Sequence, residues 1–188
     1  MSDLAIRKNT NKQNLKAIEK FFYESITKPK RIVIMTIGNI LLSDDGVGPM
    51  VYNELTNKIK NDSLLLINAE LNPENYIRTI LRFKPTHVIM IDAIEANLAP
   101  GTILFFKNTN IENKLFSQAS THMISILNIN QRILDENEEY KILNIGIQVK
   151  STEFGLQSIQ SDVYESAMML TEYLSNILMK IFGKKSVD

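Results

Sequence analysis

Apolar positions along this chain fall into two rhythms. Continuous runs at Ile32-Val33-Ile34-Met35, Leu64 to Ile67, His87-Val88-Ile89-Met90-Ile91, Thr102 to Phe106 and Ile142 to Val149 read as strands covered on both faces. Between them the spacing turns helical: Val51, Leu55 and Ile59, then Ile77, Ile80 and Leu81, then Met123, Ile126 and Leu127. A long closing helix over 161–181 carries Val163, Ala167, Leu170 and Leu174 on one face. The punctuation agrees. Pro49 and Asn72-Pro73-Glu74 suit helix first turns, and Pro100-Gly101 suits a tight turn. Alternating strands and helices predict a three-layer α/β/α sandwich around a mostly parallel sheet of about five strands.

Residues 1–14 are polar and are expected to be loose. Leu15, Ile18, Phe21 and Phe22 then recur at helical spacing, so an extra amphipathic helix should end near Ser25, before Lys28-Pro29-Lys30. The expected division is a tail and outer helix over 1–30 and an α/β domain over 31–183. A chain of 188 residues suits one such domain. No apolar run approaches the roughly 20 residues of a spanning helix, and the N-terminus has no signal-like apolar core. No membrane insertion is expected, and the expected location is cytoplasmic.

Charge and cysteine content narrow the chemistry. Lys plus Arg is 21 and Asp plus Glu is 21, so nothing electrostatic points to a nucleic-acid partner. There is no cysteine, which removes disulfides, thiolate metal sites and a cysteine nucleophile together. Only two histidines exist, His87 and His122. His87 opens a strand at the edge away from the expected site and reads as structural.

In open α/β sheets, ligands bind beyond the carboxyl ends of the strands. Gly38-Asn39, Asp44-Asp45, Glu70, Asp92 and His122 all fall in that zone. Asp44 and Asp45 could equally cap the helix that follows them. Asp92 could serve a turn, Glu74 a cap, and His122 a helix surface. Glu70 has no evident local partner. Asp45, Asp92 and His122 together make two carboxylates and an imidazole, a donor set for nickel, zinc or iron(II). The dinucleotide fingerprint, the P-loop, Gly-x-Ser-x-Gly and His-Glu-x-x-His are all absent, so those readings lack support.

The string IGNILLSDDGVGP resembles the N-terminal signature of the hydrogenase maturation proteases, which process the large subunit of nickel-iron hydrogenases. NPENYIRTILRFKPTHVIMIDAIEANLAPGTI resembles the central block of that family, STHMISI its Ser/Thr-x-His segment, and IGIQ its late strand. The four blocks occur in order between about Ile32 and Leu178. The resemblance implies Asp45, Asp92 and His122 as metal-binding and catalytic residues, with Gly38, Asn39, Asp44 and Glu70 as cleft or support. It also implies the same α/β/α sandwich.

The implied activity is that of an aspartic-type endopeptidase. It would remove a C-terminal extension from a precursor hydrogenase large subunit once nickel is in place, the nickel being presented by the substrate. The alternative is a non-cleaving module that checks nickel in the same precursor. Two departures stand out. Thr36 replaces the first glycine of Gly-x-Gly-Asn, so the turn is expected to be less tight, and Asn68-Ala69-Glu70 replaces a glycine-rich stretch.

Overall fold

The computed structural model describes residues 3–23, 30–106, 121–154 and 158–183. In chain order the elements are α1 (Asp3–Tyr23), β1 (Ile32–Ile37), a 3-10 turn (Ser43–Gly46), α2 (Val47–Lys58) and β2 (Leu64–Glu70). A second 3-10 turn (Pro73–Tyr76), α3 (Ile77–Phe83), β3 (His87–Ile94), β4 (Ile103–Phe106), α4 (Thr121–Glu136), β5 (Lys141–Gln148) and α5 (Ser161–Phe182) follow. The five strands form one sheet in the order β2-β1-β3-β5-β4. All neighbours are parallel except β4 and β5. The link from Ile94 to Ile103 is too short to carry a crossover back along the sheet, so β4 runs the other way.

Central strands are apolar throughout because both faces are covered. β1 and β3 are buried at every position. Ile32, Ile34, Ile89, Ile91, Leu143 and Ile145 face a layer built from α1, α2 and α5. Val33, Met35, Val88, Met90 and Ile142 face α3 and α4. The expected sandwich and strand count are therefore found.

The N-terminus differs from expectation. α1 begins at Asp3, so most of the segment expected to be loose is helical. The reason is that the first half of the helix buries a polar face. Asn11 Nδ2 donates to the Gly101 carbonyl at 2.9 Å, and Asn11 Oδ1 accepts the Ile103 N–H at 2.8 Å. Asn14 Nδ2 donates to the Ile103 carbonyl at 2.7 Å. Arg7 donates to the Pro100 carbonyl at 3.0 Å and pairs with Asp162 at 2.6 Å. These side chains satisfy the outer backbone groups of β4, which would otherwise be an open sheet edge. A helix that covers an edge needs amides where a helix on a core needs leucines, and hydrophobic periodicity does not register it. Its second half is apolar, and Phe21 and Phe22 pack on His87 with ring centroids 5.3 and 6.2 Å away.

Asn11 is 1% exposed. Replacing it by Leu leaves the Ile103 N–H and Gly101 carbonyl without partners, so Asn11→Leu should lower stability by about 1–3 kcal/mol. Urea denaturation checks this through the midpoint, and an unchanged midpoint would refute the edge-cover role.

Candidate active site

The site sits where the sheet reverses direction. β1 lies beside β3, in register from Ile32 opposite His87 to Thr36 opposite Ile91. The connection after β1 leads to β2 on one side, while the chain after β3 builds β5 and β4 on the other. The crevice between the carboxyl ends of β1 and β3 is the topological switch point.

Gly38 shapes the turn after β1. Its φ is +138°, and a side chain there would collide with the Asp45 carbonyl oxygen. Its N–H donates to the Glu70 carbonyl at 3.0 Å, which ties the turn to the end of β2. Gly48 lets α2 approach β1, since a Cβ there would meet the Ile37 backbone. Thr36 lies inside β1, 1% exposed, and takes no part in the turn. The turn rests on Gly38, so the expected loosening at Thr36 does not occur. Asn39 contributes twice: its N–H donates to Asp45 Oδ2 at 2.7 Å, and its Oδ1 accepts the Leu41 N–H at 2.9 Å.

Asp44 and Asp45 are adjacent, buried and differently used. No side chain caps the N-terminus of α2, so neither acid is the helix cap that local sequence allows. The Asp44 carboxylate reaches across to the link between β5 and α5. There it accepts N–H groups from Lys150 at 2.8 Å, Ser151 at 3.0 Å and Gln160 at 2.6 Å. Asp45, 5% exposed, turns toward β3.

Asp92 lies within β3, paired with Gly146 of β5, and is 3% exposed. Its Oδ1 accepts the Ala93 N–H at 2.9 Å. Its Oδ2 is buried without a hydrogen-bond partner among the described residues. Burial, then the Asp45 carboxylate, push the Asp92 carboxyl up to about 7, with the Ala93 N–H pulling the other way. A buried orphan carboxylate oxygen with raised proton affinity suits a proton or a cation, and structural acids seldom remain in that state.

Other predicted residues are placed less closely. Glu70 ends β2 exposed, with φ +50°, and serves the site through its backbone carbonyl. His122 stands in the first turn of α4, and its side chain lies outside the described residues. Among the described residues, no third His, Asp or Glu joins Asp45 and Asp92 in a cluster that could hold a metal. The two acids and the orphan oxygen fit a cation in their chemistry, and His122 is the donor that would complete the set.

Gln148 was not predicted. Its Oε1 accepts the Ala96 N–H at 2.8 Å and the Leu98 N–H at 3.2 Å, which fixes the loop after β3 at the same edge. The signal available was a buried-strand pattern, Ile145-Gly146-Ile147, ending in a glutamine. A cavity of about 870 Å³ lined by Lys30, Lys84, Thr86, Tyr140 and Lys141 lies at the opposite, amino edge. Among the described residues none of its carboxylates has a buried orphan oxygen like that of Asp92, and three glutamates (Glu136, Glu138 and Glu139) offset its lysines.

An α/β/α sandwich with paired acids at its switch point is the architecture of a known class of peptidases. The sequence pattern of the HycI hydrogenase maturation protease family matches residues 49–176, beginning just after Asp45 and including Asp92 and His122. A protein of Methanocaldococcus jannaschii assigned as a hydrogenase maturation protease is 30% identical over 173 residues, covering 87% of this chain and 95% of that one. The crystal structure of the nickel-iron hydrogenase maturation protease HycI from Thermococcus kodakarensis superposes with a TM-score of 0.75 at 28% identity. It covers 86% of this chain and 98% of that one. The hydrogenase-maturating endopeptidase HybD from Escherichia coli shares the fold, with a TM-score of 0.66 at 20% identity over 80% and 93% of the two chains. This chain belongs to the hydrogenase maturation protease family and is a peptidase of hydrogenase maturation. No helix among the described residues is long and apolar enough to cross a membrane.

The strained acid has a thermodynamic signature. Folded Asp92 holds its proton to about pH 7, against an ordinary value of 3.8. Between those limits the folded state binds more protons than the unfolded one. The contribution of Asp92 is therefore present below pH 3.8 and lost as pH rises through about 7. A proton affinity raised from 3.8 to about 7 is worth about 4 kcal/mol, so Asp92→Asn should raise Tm by on the order of 10 °C more at pH 8 than at pH 4. Calorimetry of both proteins across that range checks it, and an equal Tm difference at both ends would refute the raised proton affinity.

Proposed function

We propose that this peptidase removes a C-terminal extension from the precursor large subunit of a nickel-iron hydrogenase, after nickel has been placed in that precursor. The nickel belongs to the substrate. In this reading Asp45, Asp92 and His122 engage it, and the scissile peptide lies along the crevice between β1 and β3. The observation that carries the reading is Asp92 Oδ2, buried beside Asp45 with no partner at the switch point. A cation, or the proton of an attacking water, supplies the partner that oxygen lacks.

Each residue then has a physical task. Asp45 is held by the Asn39 N–H and presents its charge toward Asp92. Asp92 has a proton affinity matched to neutral pH, which is what a general base requires. A positioned base contributes roughly 10²–10⁴-fold, so orientation of the peptide and polarisation of its carbonyl must supply most of the remainder. The carboxylates make the activity aspartic-type. The absence of cysteine fits a reducing, cytoplasmic setting. A non-cleaving nickel-checking module draws no support from relatives that are proteases.

Incubation with nickel-loaded precursor, followed by intact mass, tests the assignment. The wild type should release the C-terminal peptide. Asp45→Asn and Asp92→Asn should each slow release by at least about 10²-fold. Wild-type rates in both variants would overturn the assigned roles.

A further inference from the structure

Asp44 is the most completely buried acid at the site edge, 0% exposed, yet it does not face the crevice. Its carboxylate accepts three N–H groups from residues more than 100 positions away in sequence. Oδ2 takes Lys150 and Ser151, just after β5, and Oδ1 takes Gln160, just before α5. Its own N–H donates to the Ser151 carbonyl at 3.1 Å. One side chain thus holds the residues just after β5 and the residue just before α5 together. Three backbone donors occupy both oxygens of the carboxylate, and neither is left to face the crevice.

The gripped segment carries Phe154, three residues beyond Ser151 and 79% exposed. The loop that carries Asp44 presents Ile40 at 72% and Leu41 at 55%, and Leu71 beyond β2 is 52% exposed. Four of the six large exposed apolar side chains among the described residues therefore stand on loops of the carboxyl edge. Single exposed apolar residues are ordinary, whereas a group of them around a reactive crevice marks a contact surface.

We propose that Asp44 is a positioning residue for substrate: by holding Lys150, Ser151 and Gln160 against the β1–α2 loop it fixes nearby Phe154, with Ile40 and Leu41, as an apolar rim that grips the precursor beside Asp45 and Asp92. The inference rests on the reading of that crevice as the cleavage site. Asp44 touches neither the scissile peptide nor the metal. Its loss acts on substrate binding and leaves the chemical step largely intact.

The test uses the full chain and a nickel-loaded large-subunit precursor that the wild type cleaves, with KM and kcat taken from intact-mass time courses. Asp44→Asn should raise KM at least tenfold with kcat changed less than threefold. Hydrogen exchange should quicken at the amides of Lys150, Ser151 and Gln160. Phe154→Ala, at an exposed position that folding does not need, should raise KM in the same direction. The double variant should be little worse than the worse single one, because both act through one rim. A wild-type KM in Phe154→Ala, or a kcat loss at unchanged KM in Asp44→Asn, overturns the proposal. If Asp44→Asn does not fold, Phe154→Ala still decides it. If Asp45→Asn and Asp92→Asn cleave normally, the reading of the crevice fails. If those two are inactive while Phe154→Ala keeps the wild-type KM, only the present inference fails.

Discussion

Everything at the functional edge depends on β1 and β3 being hydrogen-bonded neighbours in register. That pairing, Thr36 opposite Ile91, brings the turn after β1 beside the end of β3. It places Asp45 and Asp92 within electrostatic reach although their sequence positions are far apart. The strands can pair so closely because they are apolar on both faces and sandwiched by helices. The same burial then acts on any carboxylate at their ends. With little water to solvate it, such an acid must find backbone donors, share a cation, or hold its proton.

The three acids of the edge take different ways out of that constraint. Asp44 receives three backbone N–H groups and becomes a strut. Asp45 receives the Asn39 N–H inside a turn that only Gly38 permits. Asp92 receives a single N–H from its own neighbour and keeps one bare oxygen. The residue type is constant, so what surrounds each carboxylate decides its role. A carboxylate left short of donors in the centre of the sheet costs stability, which is why the bare oxygen of Asp92 marks the candidate site.

Much of this was legible in the sequence, and what was not has physical reasons. Strand runs such as Ile32 to Met35 and His87 to Ile91 announce themselves because burial on both faces leaves no polar position. Asp92 stood out because it ends such a run in the sequence, although β3 continues past it to Ile94. The role of Asp44 was hidden, since local sequence sees α2 next door and cannot see Lys150, Ser151 or Gln160. Gln148 was hidden for the same reason, its partners Ala96 and Leu98 lying on another connection. The first half of α1 was misread as loose because its buried face is built from Arg7, Asn11 and Asn14. Periodicity finds helices that lie on cores, and this one lies along a strand edge.

The opposite edge shows that burial alone does not make a site. His87 is 1% exposed, its Nε2 has no partner among the described residues, and its pKa is lowered to about 4. Burial causes that shift first, with Lys30 and Lys141 adding to it. The result is a neutral imidazole at neutral pH, packed against Phe21 and Phe22. Asp92 is pushed the other way, to about 7, by burial and by the Asp45 carboxylate. His87 loses its contribution to stability as pH falls from 6.5 toward 4, and Asp92 loses its own as pH rises through about 7. Both are buried titratable groups with an orphan atom. What separates them is their company: Asp92 lies beside a second carboxylate, Asp45, at the carboxyl edge, whereas His87 is packed against aromatic rings at the amino edge, and only the first arrangement calls for a cation or a shared proton.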